Sequence, residues 1–313
     1  MKKTYIIKRL FKTYTKKHLN KIIFAAILSI LVAASTSAIA WLLDPAIKKI
    51  FIEKDKTFIL LIPAAIIIAF ATKGYSLFFA RKLMIIASQD VTRDIQVDVL
   101  KSILNLDTQS LDSKNSGKFI SHLTYDVGLL TNMISVGLLN LIKDSLTLGG
   151  LIFLMFYQNW KLALLAIIMI PIATFAARSL GKRMGKVTTQ SQEKAGILIS
   201  YLSEILKNYK IIKIYQKEKF EVNRATKFIN DLKDKVAKSA IVLIRVTPIM
   251  ETLTGIMIAA LIFYSATLVG SGELDVNNFF SFLAAMMLAY QPVRSLATLN
   301  ITFSQGFSGA YRI

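Results

Sequence analysis

The sequence predicts an all-α membrane protein, with six transmembrane helices that carry long cytoplasmic extensions. Three observations predict it. Hydrophobic residues make up 54% of the 313, and the mean hydropathy is +0.52, which is wrong for a soluble chain of this length. Six apolar runs are long enough, or extend far enough, to cross a bilayer, which takes about 20 residues at about 1.5 Å each. The Lys and Arg residues gather in alternate connections between those runs.

The elements follow in order. Residues 1–21 read as an interfacial elbow helix on the inner leaflet. There Ile6, Ile7, Leu10, Phe11 and Tyr14 recur at helical spacing, with Lys8, Arg9, Lys12, Lys16 and Lys17 between them. The transmembrane domain covers 22–300, with spans at about 22–43, 58–80, 133–157, 161–181, 246–270 and 276–298, and 301–313 begins a linker. Ala38-Ile39-Ala40 resembles a signal-peptidase site, but the apolar run before it is longer than a signal core. Val91, Ile95, Val99 and Ile103 repeat every four residues. This spacing continues the second span out of the membrane for about 26 residues, roughly 39 Å. Leu198, Leu202, Ile205 and Tyr209 extend the fourth span likewise, and Phe228, Leu232, Val236 and Ala240 lead into the fifth. Two breaks interrupt these rods. One is Asp112–Gly117, with turn chemistry, followed by a short helical patch, Lys118–Leu123; the other lies near Ile211–Glu218. Each is the tip of a helical hairpin, placed to meet a cytoplasmic partner.

The net charge of +20 suggests nucleic acid until its distribution is read. Residues 1–21 hold eight Lys or Arg, 81–130 hold six, 182–245 hold fifteen and 299–313 hold one. The opposite connections hold only Lys48, Lys49, Lys54, Lys56 and Lys161. The basic segments and both termini are therefore expected in the cytoplasm, with the charge marking topology and anionic lipid. No nucleic-acid partner is expected. The absence of Cys excludes disulfides and thiol chemistry. His18 and His122 are too isolated in sequence to suggest a metal site.

Ionisable residues inside spans cost free energy unless they face a cavity or a partner, which makes Lys73, Lys143 and Arg294 functional candidates. Each has a structural alternative. Lys143 can pair with Asp144 or snorkel, Lys73 can reach Glu251, and Arg294 can sit at the inner interface. Arg178 and Glu251 read as interhelical. Pro63, Pro171, Pro248 and Pro292 mark bends.

The residues now support a resemblance. Asp112-Ser113-Lys114-Asn115-Ser116-Gly117 through Ser121-His122-Leu123-Thr124-Tyr125-Asp126 resembles the first coupling segment of type IV ABC exporters. Met155-Phe156-Tyr157-Gln158-Asn159-Trp160-Lys161-Leu162 resembles their outer turn between spans three and four. Gln291-Pro292-Val293-Arg294-Ser295-Leu296 and Phe303-Ser304-Gln305-Gly306 are similar to the close of span six. The resemblance covers essentially the whole chain and is closest to the MsbA-type lipid A exporters. It departs at Ser110 and Leu111, where aromatic residues are usual, and at His122, where Arg is usual.

The resemblance implies a homodimer in the bacterial inner membrane that flips or exports an anionic lipid. Lys73, Lys143 and Arg294 would then hold the phosphates of the substrate. Gly117, Lys118, Phe119, His122, Asp126, Ile214, Tyr215 and Gln216 would couple to the ATPase. The sequence contains no Gly-x-x-x-x-Gly-Lys-Ser/Thr loop. ATP and Mg²⁺ are thus expected through a nucleotide-binding domain, fused or separate, that lies outside it. Alternatives are a multidrug or amphiphile exporter of the same family and a non-transporting membrane scaffold.

Overall fold

A computed structural model describes residues 9–107, 119–120 and 122–313; for 168–182, 184, 185, 243, 246 and 250 it describes the backbone alone. The described residues are helical and turn-linked, without a strand. The chain divides into two compact units, Met1–Pro171 with Met257–Ile313, and Ile172–Ile256.

The principal helices are α1 (Leu19–Trp41), α2 (Lys56–Leu104), α3 (Leu139–Gln158), α4 (Trp160–Lys207), α5 (Glu218–Ile244), α6 (Val246–Gly270) and α7 (Val276–Arg312). Among the described residues, four helical stretches are long and apolar enough to cross a membrane: Thr15–Ile52, Lys56–Leu104, His122–Gln158 and Glu218–Gly270. The runs at 161–181 and 276–298 fall within α4 and α7. The expected extension of the second span is present, since α2 runs unbroken to Leu104.

In the larger unit, α1 packs along α2 and α3, and α7 packs along α3. The residues that α1 buries are mostly small, including Ala25, Ser29, Ala33, Ser35 and Thr36. Small side chains let helix backbones approach where no water drives them together. The hydroxyls of Ser29 and Thr36 donate to Ala25 O (2.8 Å) and Val32 O (2.7 Å), so neither is left unsatisfied. Large apolar residues such as Leu60, Ile67, Ile68 and Phe78 on α2 stay exposed, as a lipid-facing surface requires.

Sharp turns are set by single polar side chains. Asp55 Oδ1 accepts from Thr57 N (2.9 Å) and starts α2, directly after Lys54 in the left-handed region. Asn159 Oδ1 accepts from Lys161 N (3.0 Å) and Leu162 N (3.1 Å), which lets α4 begin one residue after the turn from α3. Gly272, with φ of 74°, lies in the turn from α6 to α7. An ion pair between Lys161 and Glu273 ties these two turns at one end of the unit. Nearby, Gln158 donates to Ser281 Oγ (2.8 Å), which donates to Ala40 O (2.9 Å).

Apolar packing forms two layers in this unit. One, beside those turns, contains Ala40, Leu151, Leu162, Leu261 and Phe282. The other, at the opposite ends of α1 and α7, contains Ile22, Met84, Val91, Val127 and Leu130, with Phe303 and Phe307 against it. Leu10 and Tyr14 of the predicted elbow pack on this second layer, whereas Phe11 is exposed. The stretch leading into α3 is locally unwound, with wide π turns at His122–Asp126 and Met133–Leu138 around a short α-helix, Val127–Asn132.

In the smaller unit, α4 and α5 form an antiparallel pair. Thr188 meets Ser239, Lys235 meets Gln190, Lys194 meets Asp231 and Tyr201 meets Glu221 and Phe228, so one register holds over four turns of helix. Tyr201 is buried, its ring tilted against that of Phe228 at 4.9 Å with the Arg224 guanidinium over it at 5.3 Å. Burial first, and then the Glu221 carboxylate, push its hydroxyl above the ordinary tyrosine pKa.

Candidate functional site: cations among the spans

α2 carries Lys73 half-buried, and α3 carries Lys143 with 15% of its side chain exposed. The structure brings these two together: the Lys143 charge acts on Lys73. Lys143 pairs with Asp144, whose side chain is buried, while Lys73 has no ion-pair partner among the described residues. Between them the two ammonium groups thus make one ion pair among the described residues, that of Lys143 with Asp144. Repulsion between like charges grows as the dielectric falls, so this arrangement favours any anion that enters beside both lysines. The second oxygen of Asp144 has no hydrogen-bond partner among the described residues. Arg294, the third predicted cation, lies half-buried on α7, two residues beyond the buried Pro292. It therefore sits on a helix neighbouring the one that bears Lys143.

The predicted coupling residues divide into two groups. Gly117 and Lys118 lie outside the described residues. Phe119 is half-buried, and His122 donates Nδ1–H to Asp126 Oδ2 (2.7 Å). Asp126 itself is 2% exposed, so it forms an internal link and not a contact face. In the smaller unit, Ile214, Tyr215 and Gln216 are all exposed, after a short helix Tyr209–Ile214 and with Gln216 at a positive φ of 52°. An apolar pair held out in solvent at a turn has the form of a docking tip.

Sequence reasoning missed two features. Arg312, in the last turn of α7, donates from Nε (2.9 Å) and Nη2 (2.6 Å) to Asp126 Oδ1. His18 and Lys21, at the start of α1, meet Asp90 and Asp94 of α2, with Lys21 Nζ at 2.5 Å from Asp90 Oδ2. The hydrogen bond from Lys21 holds the Asp90 carboxyl below its ordinary pKa, and that from Arg93 does the same for Asp94. The i, i+4 spacing of Asp90 and Asp94 was the available signal for the second feature.

A family model described as the ABC transporter transmembrane region matches residues 22–293. The chain belongs to this family. Among curated relatives, it is similar to the ATP-dependent lipid A-core flippase of Syntrophus aciditrophicus, 32% identical over 98% of this chain and 51% of the relative. The ATP-dependent lipid A-core flippase of Desulfotalea psychrophila is 31% identical over 98% of this chain and 54% of that protein. A third, from Thiobacillus denitrificans, is 24% identical over 96% of this chain and 52% of its own length. The chain spans about half the length of the curated relatives it matches. As an ABC transporter transmembrane region with several apolar helices, it is a multi-pass membrane protein.

Proposed function

We propose that this chain is the permease part of an ATP-driven exporter that flips an anionic, lipid A-like glycolipid across the bacterial inner membrane. The observation that carries the reading is the pair Lys73 and Lys143, two cations of neighbouring helices of which Lys143 alone has an ion-pair partner among the described residues. Phosphate suits both as a ligand, because point-charge ammonium groups and a forked guanidinium such as Arg294 bind it by charge-assisted hydrogen bonds. The names of the relatives favour the same substrate class. The full reading has six spans, both termini in the cytoplasm, and a homodimer that doubles the cations around a central cavity. The residues present do not fit a nucleotide, since no phosphate-cradling loop exists among them. ATP and Mg²⁺ belong in this reading to a nucleotide-binding domain, and no chemical step on them is assigned to these residues.

The test uses the complete transporter in lipid nanodiscs, with ATP hydrolysis followed against a bis-phosphorylated glycolipid and its dephosphorylated form. Lys73→Ala or Lys143→Ala should raise the half-saturating concentration of the phosphorylated lipid about 10- to 100-fold, the value of one charge-assisted bond. The dephosphorylated lipid should stimulate weakly in every case. Unchanged half-saturation in both variants contradicts the substrate assignment, and equal stimulation by a cationic amphiphile supports a multidrug exporter instead.

A further inference from the structure

Two stretches 186 residues apart in sequence meet on one carboxylate. Asp126 closes the wide turn His122–Asp126, which stacks the His122 ring over it at i, i+4. Its two oxygens are used separately: Oδ2 accepts from His122, and Oδ1 accepts both N–H groups of Arg312. Arg312 is itself steered, because Nη1 donates to Ser308 Oγ (3.0 Å) one turn back on α7. Its charge also lies at the C-terminal end of a 37-residue helix, where the helix dipole favours a cation.

The backbones are as close as the side chains. A Cβ on Gly309 would stand 2.6 Å from the Asp126 carbonyl oxygen, and one on Gly306 would stand 2.5 Å from Met133 Sδ. The last turns of α7 therefore press directly on the segment that leads into α3. α2 is tied to the same segment, since Gln96 Nε2 donates to Leu123 O (2.8 Å) and Thr92 shares a hydrogen bond with Thr131. Opening this joint would strand a buried carboxylate, the state that low-dielectric surroundings penalise most. Of the wide turns on either side of Val127–Asn132, the first holds His122 and Asp126 themselves and the second, Met133–Leu138, follows them toward α3.

We propose that Asp126 is a positioning residue that locks the last turn of α7 to the coupling segment, so that both elements move as one body through the transport cycle. The lock stands on this geometry. What its motion accomplishes rests on the export reading.

These 313 residues contain no cysteine, so two introduced cysteines can carry spin labels once any cysteine elsewhere in the complete transporter has been replaced. Ile120 and Tyr311 flank the joint and are 61% and 65% exposed. The label-to-label distance should be narrow and the same in the nucleotide-free and ATP–vanadate states. Arg312→Ala should broaden it and reduce the ratio of lipid-stimulated to basal hydrolysis about 2- to 30-fold, the usual span of coupling effects. Gly309→Ala, which leaves every charge in place, should act in the same direction by forcing the backbones apart. Where Arg312→Ala lowers the yield of folded transporter, Arg312→Lys keeps the charge, loses the fork and should give an intermediate width. A wild-type distance that differs between the two states overturns the proposal, as does an unchanged width in both Arg312→Ala and Gly309→Ala. A wild-type protein that lipid fails to stimulate, with the distances behaving as described, removes the export reading and leaves the lock intact.

Discussion

Within the larger unit, two clusters of basic side chains about a single buried aspartate are built in opposite ways. Around Lys73 and Lys143, one of two neighbouring cations has a carboxylate partner, and that carboxylate keeps an oxygen without a partner among the described residues. Around Asp126, one carboxylate has both oxygens engaged by three N–H groups. An unsaturated cluster stores affinity for something that is not part of the protein; a saturated cluster resists being taken apart. The first suits a ligand site and the second suits a joint, although neither sequence segment differs much in composition.

The largest expected effect comes from breaking the saturated cluster. Asp126→Ala should destabilise the protein by about 3 kcal/mol, the low end for a broken buried pair because Arg312 still reaches solvent. The check is the detergent-solubilised melting temperature against wild type, and a shift no larger than that of an exposed substitution would erase the distinction between the clusters. A middle-sized effect serves as a control. Asn159→Ala removes the cap of α4 and should cost about 1 kcal/mol, seen as a lower melting temperature with unchanged lipid half-saturation. A change in lipid affinity there would show that the substrate reading is not confined to the lysines.

The smallest effect concerns the clamp of α1 on α2. Asp90 is held below its ordinary pKa mainly by the hydrogen bond from Lys21, and Asp94 mainly by that from Arg93. Carboxylates depressed in the folded state stabilise it above their unfolded pKa of about 3.9, and that contribution is lost as pH falls through the lower folded value. The melting difference between wild type and Lys21→Ala should therefore stay constant from pH 7 to about 5 and shrink below about 4. Both groups are partly solvent-accessible, which keeps the effect small. A difference that grows with acidification would contradict the clamp.

Much of the molecule is legible from residues alone because lipid is an intolerant solvent. The bilayer penalises charge, so Lys73, Lys143 and Arg294 stand out against the apolar residues on either side of them in the chain. It also demands unbroken helices, so the four-residue repeat from Val91 to Ile103 marks the extension of α2 to Leu104. Lys73 and Lys143 are readable as cations, but their convergence depends on how α2 and α3 are placed around α1, which no local period encodes. Arg312 reads as a linker residue in the sequence, since its partner lies 186 positions away. Asp126 is expected there as a contact for a partner because its segment resembles a coupling segment; the wide turn that rotates it inward carries no simple sequence mark. The amphipathic pattern of the elbow points to an interface, yet Leu10 and Tyr14 spend part of that apolar face on the protein itself.

The contrast between spare and saturated charge is tested most directly by ligand-induced thermal stabilisation. The complete transporter is melted with and without a saturating bis-phosphorylated glycolipid, as wild type, Lys73→Ala and Asp126→Asn. A ligand held at 100 times its Kd stabilises by about 2.7 kcal/mol. Asp126→Asn should melt lower than wild type and keep the full lipid-induced rise, while Lys73→Ala should melt at or above wild type and lose most of it. A lipid-induced rise that survives in Lys73→Ala and disappears in Asp126→Asn would contradict the account.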